Sequence, residues 1–449
     1  MKRLIVILAL CTAACGGEPD YLPIAELMNP DTCKDCHPVH YEEWKSSMHA
    51  YAGIDPVFLA MNRRGQRETN GALGDFCVKC HAPMAVRTGA TTDGLNLADV
   101  DPKLKGVTCF FCHTAESVEG THNNPVVLSG DGVLRAAVRD PVENGKHATG
   151  YSPLLDRTQP ESTTLCGACH DIVTDAGVHL ERTYEEWQAS LFAHDNPTQH
   201  RNCGQCHMSG DRDGVIADFE GVPLRKLHEH TFPGIDVALT DWPGKDLQLD
   251  GITRDLEGAI APKLCVGPNQ GGGGVAITYT LDNLRGGHMW PSGATQDRRA
   301  WAEIVAVTGG EVVYQTGVVD DGQPVAEAAA ADPELWQIRD FATDESGDPA
   351  HMFWEVATID SQLLPPAVTN DPTDIAFYHS VEKTFEFLGA QPDTVTAKVH
   401  IRPIGLDVID DLIDSGDLDP AVRDEISTFT LEGTVLTWKA EYGPGCIRR

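Results

Sequence analysis

The most informative pattern in this sequence first occurs as Cys33-Lys34-Asp35-Cys36-His37, in which two cysteines three positions apart are followed directly by a histidine. Four further copies of this Cys-x-x-Cys-His pattern begin at Cys77, Cys109, Cys166 and Cys203. For a chain with 14 cysteines and 18 histidines in 449 residues, chance supplies roughly 0.02 copies. The five copies therefore mark five sites of the same chemical kind.

The spacing suits covalent attachment of haem. Two cysteines separated by two residues add to the two vinyl groups of one haem, and the next histidine then reaches the iron as its proximal ligand. A zinc site needs no histidine after each cysteine pair, and a thioredoxin-like redox site needs a single motif on a βαβ unit. The sequence therefore predicts five c-type haems as cofactors. The predicted attachment residues are Cys33, Cys36, Cys77, Cys80, Cys109, Cys112, Cys166, Cys169, Cys203 and Cys206, and the predicted proximal iron ligands are His37, His81, His113, His170 and His207.

A second histidine at the sixth coordination position of the iron produces a low-spin electron carrier. Histidines are plentiful outside the five motifs, so their supply exceeds the demand for distal ligands. Methionines are few among the mature residues, and bis-histidine ligation is therefore the expected arrangement. From their local sequence context, the candidate distal ligands are His49, His147, His230, His288 and His122.

A short segment after the first motif recurs after the fourth. Residues 41–44, Tyr-Glu-Glu-Trp, recur as residues 184–187, and a serine follows three positions after each tryptophan. This repeat indicates a duplicated haem-binding unit. In the second copy Phe192 stands where the first copy has a histidine, so the ligand role there passes to His194 or His200, or to no residue.

Taken in order, the motifs resemble the cytochrome c-554 family of multihaem cytochromes, which belongs to a wider group with hydroxylamine oxidoreductase and the pentahaem nitrite reductase. The resemblance covers residues 30–235 and rests on Glu-x-Trp-x-x-Ser-x-His after the first motif, Gly-Val-x-Cys-x-x-Cys-His at 106–113, Cys-Gly-x-Cys-His at 166–170 and Cys-x-x-Cys-His-Met at 203–208. It implies a mostly helical, loop-rich fold organised by stacked haem pairs, and it supports His49, His147 and His230 as distal ligands. The chain departs from the family in having five attachment motifs rather than four and a large additional C-terminal domain. It also lacks the Cys-x-x-Cys-Lys motif that marks the catalytic haem of the pentahaem nitrite reductase.

Residues 1–15 have the shape of a lipoprotein-type signal peptide, since Lys2 and Arg3 precede an apolar run over residues 4–14. The segment that ends at Cys15 resembles a bacterial lipobox, in which the cysteine is acylated; ordinary cleavage that discards Cys15 is the alternative. We therefore expect an exported protein, periplasmic or held by its lipid at the outer membrane of a Gram-negative-type bacterium. Residues 16–30 then form a tether, and no transmembrane helix is expected.

The chain divides into a pentahaem cytochrome domain over residues 31–240 and a β-rich domain over residues 260–449. The second part has no attachment motif, and turn signals separate its β-rich runs at residues 275–281, 301–308, 311–319, 353–359, 394–401 and 428–439. Residues 407–419, with six aspartates among apolar positions, predict an amphipathic helix. Cys265 and Cys446 bracket this part; they form a disulfide or remain two buried thiols. The predicted fold class is α+β, with a mostly helical, loop-rich multihaem domain followed by an antiparallel β-sandwich-like domain.

The formal net charge of −33 argues against a nucleic-acid partner and against direct adsorption to anionic lipid. It favours redox protein partners with a basic docking patch, and membrane contact through the lipid anchor only. The sequence favours an electron carrier, with closely packed bis-histidine haems, over an enzyme. Two alternatives stay open: a reductase or oxidase of a small nitrogen or sulfur oxyanion at one five-coordinate haem, and a binding module whose β-domain captures a partner. The oligomeric state stays open as well.

Overall fold

The computed structural model describes residues 21–194 and 198–449. The predicted signal peptide, its lipidation site Cys15 and the first part of the predicted tether lie outside the described residues. In the remaining part of that tether, Ile24–Leu27 forms one helical turn. Leu27 is buried and packs in the same core as Phe110 and Phe111 of the third motif, so this segment joins the folded haem-attachment region.

Short helices dominate the first half of the chain. In the described residues the α-helices are α1 Ile24–Leu27, α2 Pro38–Ser46, α3 Met48–Tyr51, α4 Pro56–Glu68, α5 Val78–His81, α6 Pro83–Arg87, α7 Cys109–His113, α8 Ser162–Gly167, α9 Thr183–Gln188, α10 Cys203–His207, α11 Lys245–Glu257, α12 Val325–Ala331 and α13 Leu406–Asp414. The second, third and fifth attachment motifs form α5, α7 and α10. Helices of four to six residues are unstable in isolation, so tertiary contacts have to hold the motifs in this form.

The longer helix α4 shows how local sequence defines an element here. Pro56 occupies its first position, where the missing backbone N–H costs nothing. The Asp55 side chain caps the helix by accepting hydrogen bonds from the backbone N–H groups of Val57 and Phe58. Phe58 is thereby fixed on the face of α4 that lies against the second attachment motif.

Small two-stranded ribbons connect the helices of the first half. Their strands are β1 Ala115–Val118, β2 Val126–Leu128, β3 Val133–Ala136, β4 Ala148–Tyr151, β5 Ile172–Val173, β6 His179–Glu181, β7 Asp213–Val215 and β8 Leu224–Lys226. β1 pairs with β2, β5 with β6 and β7 with β8 in antiparallel fashion, whereas β3 and β4 are parallel. These ribbons shape the loops around the attachment motifs rather than forming a sheet of their own.

The second half is built from antiparallel sheets. Its strands are β9 Ala261–Pro268, β10 Val275–Asp282, β11 Arg299–Thr308, β12 Glu311–Thr316, β13 Trp336–Ile338, β14 Asp340–Thr343, β15 Thr358–Ser361, β16 Val381–Phe387, β17 Thr394–Arg402, β18 Phe429–Thr430, β19 Leu436–Lys439 and β20 Gly445–Arg448. One sheet has the order β16-β10-β9-β20; the other has the order β12-β11-β17-β18, with β13 on β11 and β19 on β17. β14 and β15 form a separate hairpin.

The two large sheets share one hydrophobic core. Alternate residues of β9 are buried, as expected for a strand with one face inward. Leu264 from β9, Ile277 from β10, Ile304 from β11 and Val399 from β17 belong to the same buried cluster. The predicted α+β class, with a helical, loop-rich first part and antiparallel β-sheets in the second, is confirmed.

Residues between the two halves take part in this β core. Ile235 and Val237, which precede α11, and Ile252 and Leu256 on α11 are buried within it. Cys265 on β9 lies directly opposite Cys446 on β20, with Cα atoms 3.9 Å apart, and the structure joins them in a disulfide. The C-terminal strand is thereby linked covalently to the first strand of the β region.

The halves also meet at α4 and α13. Val57 and Ala60 of α4 pack with Val408 and Leu412 of α13 in one buried cluster. An ion pair of 2.9 Å between Arg64 Nη1 and an Asp411 carboxylate oxygen borders this contact. Among the described helices, none has both the length and the apolar composition needed to cross a lipid bilayer.

Candidate functional site

The five Cys-x-x-Cys-His motifs line one continuous cavity. Its volume is about 1980 Å³, well above the roughly 300–1,000 Å³ of a typical small-molecule pocket. All ten predicted attachment cysteines and all five predicted proximal histidines face it. A single space bordered by five identical motifs fits several large prosthetic groups held close together.

The motif histidines are oriented by backbone carbonyls. His37 Nδ1 lies 2.7 Å from Ile216 O, His113 Nδ1 lies 2.5 Å from Arg135 O, and His207 Nδ1 lies 2.8 Å from Pro233 O. An Nδ1–H that donates to a carbonyl leaves the Nε2 lone pair free for a metal. Burial also lowers the pKa of His81 to about 4 and the pKa of His113, which favours the neutral, metal-binding imidazole.

Three motif histidines face a second histidine across the cavity. The ring centroids of His37 and His147 are 6.3 Å apart, and those of His207 and His288 are also 6.3 Å apart. The centroids of His49 and His170 are 6.2 Å apart. Two metal–nitrogen bonds of about 2 Å, with about 1.1 Å from each nitrogen to its ring centre, require a centroid separation of about 6 Å.

These separations fit one iron atom between each pair of imidazoles. The structure therefore brings three of the predicted distal histidines to attachment motifs: His147 to the first, His49 to the fourth and His288 to the fifth. His147 and His49 each face a motif that is not the nearest to them in sequence, whereas His288 faces the nearest one, the fifth. The donor set, two imidazoles and two thiols at each of these sites, fits c-type haem with bis-histidine ligation.

The third motif lies beside a cluster of three histidines rather than opposite a single histidine. His40, His228 and His230 lie together, with the His40 and His230 ring centroids 4.7 Å apart and those of His228 and His230 5.7 Å apart. His113 is near enough to contribute to lowering the pKa of all three, although desolvation is the main cause. The buried Nδ1 of His230 has no hydrogen-bond partner among the described residues. The cluster thus includes the predicted distal ligand His230.

The second motif has a different neighbour. Phe58 of α4 stacks on the His81 imidazole, with ring centroids 4.2 Å apart and planes 9° apart. Among the described residues, no histidine ring faces His81 at the separation seen in the three pairs. Asp55, which caps α4, also lines the cavity, and burial raises the pKa of its carboxyl to about 6.

His122 is the one distal candidate that the structure does not bring to an attachment motif. It is exposed, does not line the cavity, and its Nδ1 lies 3.1 Å from the Thr121 hydroxyl. The following residues hold it outside, because Asn123 and Asn124 both have left-handed backbone conformations. Their N–H groups donate to carbonyls of Asp171 and Ala168 beside the fourth motif.

Contacts between thiols show how the motifs are arranged in space. The side chains of Cys33 in the first motif and Cys109 in the third lie within hydrogen-bonding reach of each other, as do those of Cys80 in the second and Cys169 in the fourth. Cys166 of the fourth motif lies within the same reach of Cys203 of the fifth. The order in space therefore differs from the order in sequence: motifs one and three are neighbours, and motif four adjoins motifs two and five.

The two Tyr-Glu-Glu-Trp repeats make the same contacts with the chain before an attachment motif. The Trp44 indole N–H donates to Val107 O at 2.7 Å, and the Trp187 indole N–H donates to Arg201 O at 2.8 Å. Each acceptor lies two residues before the first cysteine of a motif, the third in one case and the fifth in the other. In return, the backbone N–H of Val107 donates to His49 O and the backbone N–H of Arg201 donates to Phe192 O. His49 and Phe192 occupy equivalent positions of the two repeats.

The repeat is visible in the sequence, but the hydrogen bonds that its tryptophans make are not. The repeat shows that Trp44 and Trp187 are equivalent in sequence, and only the fold shows that they hold the third and fifth motifs. Neither His194 nor His200 faces a motif histidine in the described part of the chain; His288 faces the fifth motif instead.

Two comparisons with known proteins gave matches. Residues 32–114 match the family described as cytochrome c554 and c-prime. The comparison with curated proteins finds no match. Among solved structures, the chain shares its fold with a penta-heme cytochrome c552 from Thermochromatium tepidum, at a TM-score of 0.62 and 19% sequence identity, over 92% of this chain and 98% of that chain. Together the family match and the shared fold support a multihaem c-type cytochrome, and with it electron transfer through c-type haem.

Proposed function

We propose that the chain is a pentahaem c-type cytochrome that relays electrons outside the cytoplasm to a redox partner. The observation that carries the proposal is the set of three histidine pairs at 6.2–6.3 Å, each next to a Cys-x-x-Cys-His motif. Two imidazoles close both axial positions of an iron and leave no site for a substrate. Such sites suit electron transfer rather than catalysis.

The arrangement of the chain supports relay through several centres. Haem iron, when bound, supplies a one-electron couple. The residues of this chain keep the attachment sites close: cysteines lie within hydrogen-bonding reach of each other between motifs one and three, two and four, and four and five. The carbonyl groups that orient His37, His113 and His207 fix these imidazoles before any partner arrives.

The proposed location follows from the leader and the surface charge. A signal peptide over residues 1–15, with a lipid on Cys15, would export the protein and hold it at the outer membrane or in the periplasm, where covalent haem attachment takes place. The net charge of −33 supports a redox partner that docks through a basic patch. Membrane contact would then be made through the lipid only.

The proposal is tested by the ligation and redox behaviour of the purified, mature protein. We expect low-spin signals from bis-histidine haems and five one-electron steps in a potentiometric titration. Fewer than five steps, or a majority of high-spin centres, would contradict it.

A second candidate function rests on the second motif. Phe58 rather than a histidine stacks beside His81, and groups able to hold protons or anions line the same cavity: Asp55, Glu181 and Arg298. This combination suits a reductase or oxidase of a small nitrogen or sulfur oxyanion at one five-coordinate haem. A spectral shift of one haem equivalent on adding nitrite, with turnover by a chemical reductant, would favour the enzyme. No shift and no turnover would favour the carrier.

A further inference from the structure

The second glutamate of each Tyr-Glu-Glu-Trp repeat contacts a loop that carries a predicted distal histidine. In the second repeat, Glu186 Oε2 accepts hydrogen bonds from the backbone N–H of Met289 at 3.2 Å and from the Ser292 hydroxyl at 2.6 Å. That loop contains His288, whose ring faces His207 of the fifth motif. One carboxylate thus fixes the loop on both sides of the cis peptide between Trp290 and Pro291.

The first repeat makes the corresponding contact. Glu43 Oε2 accepts a hydrogen bond from the backbone N–H of His230 at 3.0 Å, and its other oxygen pairs with the Arg212 guanidinium. The Glu43 residue is only 9% exposed. His230 belongs to the histidine cluster beside the third motif. The two glutamates occupy equivalent sequence positions, directly before tryptophans that hold the third and fifth motifs.

We propose that Glu43 and Glu186 are positioning residues for the distal axial ligands of the third and fifth haems. This inference rests on the proposed function. The helix that contains each repeat, α2 or α9, then holds both sides of one attachment site. Its tryptophan forms a hydrogen bond with the chain before the motif, and its glutamate forms hydrogen bonds with the loop that carries the distal histidine. Glu186 accepts two hydrogen bonds from the loop that contains His288, and Glu43 accepts one from the backbone N–H of His230. These hydrogen bonds hold each imidazole in place without touching the iron.

The experiment compares Glu186→Ala with Glu185→Ala in the haem-loaded protein. Glu185 is the adjacent residue, exposed on the surface and paired with Arg182 there, so it controls for loss of a carboxylate from the same helix. Carbon monoxide binds reduced haem only where the sixth position opens, and it therefore counts released distal ligands. We expect Glu186→Ala to bind up to one more equivalent of carbon monoxide per chain than the wild type, and Glu185→Ala to match the wild type.

Two further variants locate the effect. The double variant Glu186→Ala/His288→Ala should bind no more carbon monoxide than the single variant His288→Ala, because both substitutions open the same haem. Glu43→Ala should add an equivalent to the His288→Ala background, because it acts on another haem. Glu186→Gln, whose amide oxygen still accepts hydrogen bonds, should stay close to the wild type.

The inference is overturned if Glu186→Ala binds carbon monoxide like the wild type and keeps all low-spin signals. It is also overturned if its extra equivalent adds to that of His288→Ala. Should Glu186→Ala fail to fold, Ser292→Ala removes one of the two bonds and should give a smaller rise in the same measurement; no rise would again contradict it. A wild type without bis-histidine haems would instead refute the proposed function.

Discussion

His207 and His288 face each other with ring centroids 6.3 Å apart and ring planes 13° apart, although one belongs to an attachment motif and the other to a loop of the β region. His288 lies between β10 and β11, and its Nδ1 is 2.8 Å from Met289 O. The β region therefore contributes a residue to the fifth site. In the proposed function, the C-terminal half therefore takes part in haem ligation through His288.

Replacing His288 by alanine should open the fifth haem. We expect the reduced His288→Ala protein to bind one more equivalent of carbon monoxide per chain than the wild type, because no other histidine in the described residues faces His207 at a comparable distance. The exposed His122→Ala variant is the control and should behave like the wild type. An unchanged carbon monoxide equivalent in His288→Ala would show that His288 is not a ligand.

The disulfide between Cys265 and Cys446 should stabilise the β region without affecting the haems. Closing a loop of this length contributes on the order of 5 kcal/mol in the chain-entropy model, and measured effects are commonly about 2–5 kcal/mol. We expect the Cys265→Ser/Cys446→Ser protein to unfold at lower denaturant concentration, with its haem absorption spectrum unchanged. Equal midpoints for the variant and the wild type would contradict this expectation.

Glu181 should make stability depend on pH. Burial raises the pKa of its carboxyl from 4.5 to about 7, with Asp297, Asp236 and Asp171 adding to the rise and Arg298 opposing it. Because the folded state keeps a proton that the unfolded state loses above pH 4.5, stability falls as the pH rises from about 4.5 to 7.

Glutamine at position 181 removes this titration. Relative to the wild type, Glu181→Gln should melt higher at pH 8, on the order of 1–3 °C, and about equally at pH 4. The exposed Glu116→Gln variant should show no such divergence. If the melting temperatures of Glu181→Gln and the wild type differed by the same amount at both pH values, the raised pKa would be wrong.

The acidic surface should steer a basic partner. With a small basic c-type cytochrome as the probe, we expect the rate of electron exchange to fall about tenfold or more between 10 and 200 mM salt, because screening weakens long-range attraction. An uncharged reductant serves as the control and should show little salt dependence. A flat profile with the basic probe would contradict a partner with a basic docking patch.

Local sequence patterns predict much of the fold. The runs predicted at 275–281 and 394–401 correspond to Val275–Asp282 and Thr394–Arg402, and the amphipathic helix predicted within 407–419 corresponds to Leu406–Asp414. The strand predicted at 353–359 is wrong for most of its length, because the observed strand begins only at Thr358. Phe353 instead stacks on Phe76 next to the second motif, a tertiary contact that periodicity does not report.

The predicted attachment residues follow from the motifs alone, but the pairing of histidines does not. His147 faces the first motif and His49 faces the fourth, so both pairs join segments far apart in sequence. Such pairs depend on how the short helices and ribbons pack, and no local pattern contains that information. The same holds for Glu43 and Glu186, whose equivalence is visible in the repeat and whose partners are visible only in three dimensions.

The central claim is that five haems are attached through thioether bonds at the five motifs, and mass spectrometry of the purified mature protein tests it most directly. We predict a mass that exceeds that of the processed polypeptide by five haems, with haem-carrying peptides that contain Cys33, Cys77, Cys109, Cys166 and Cys203. A mass equal to that of the bare polypeptide, or one short of five haems in fully matured protein, would contradict the account.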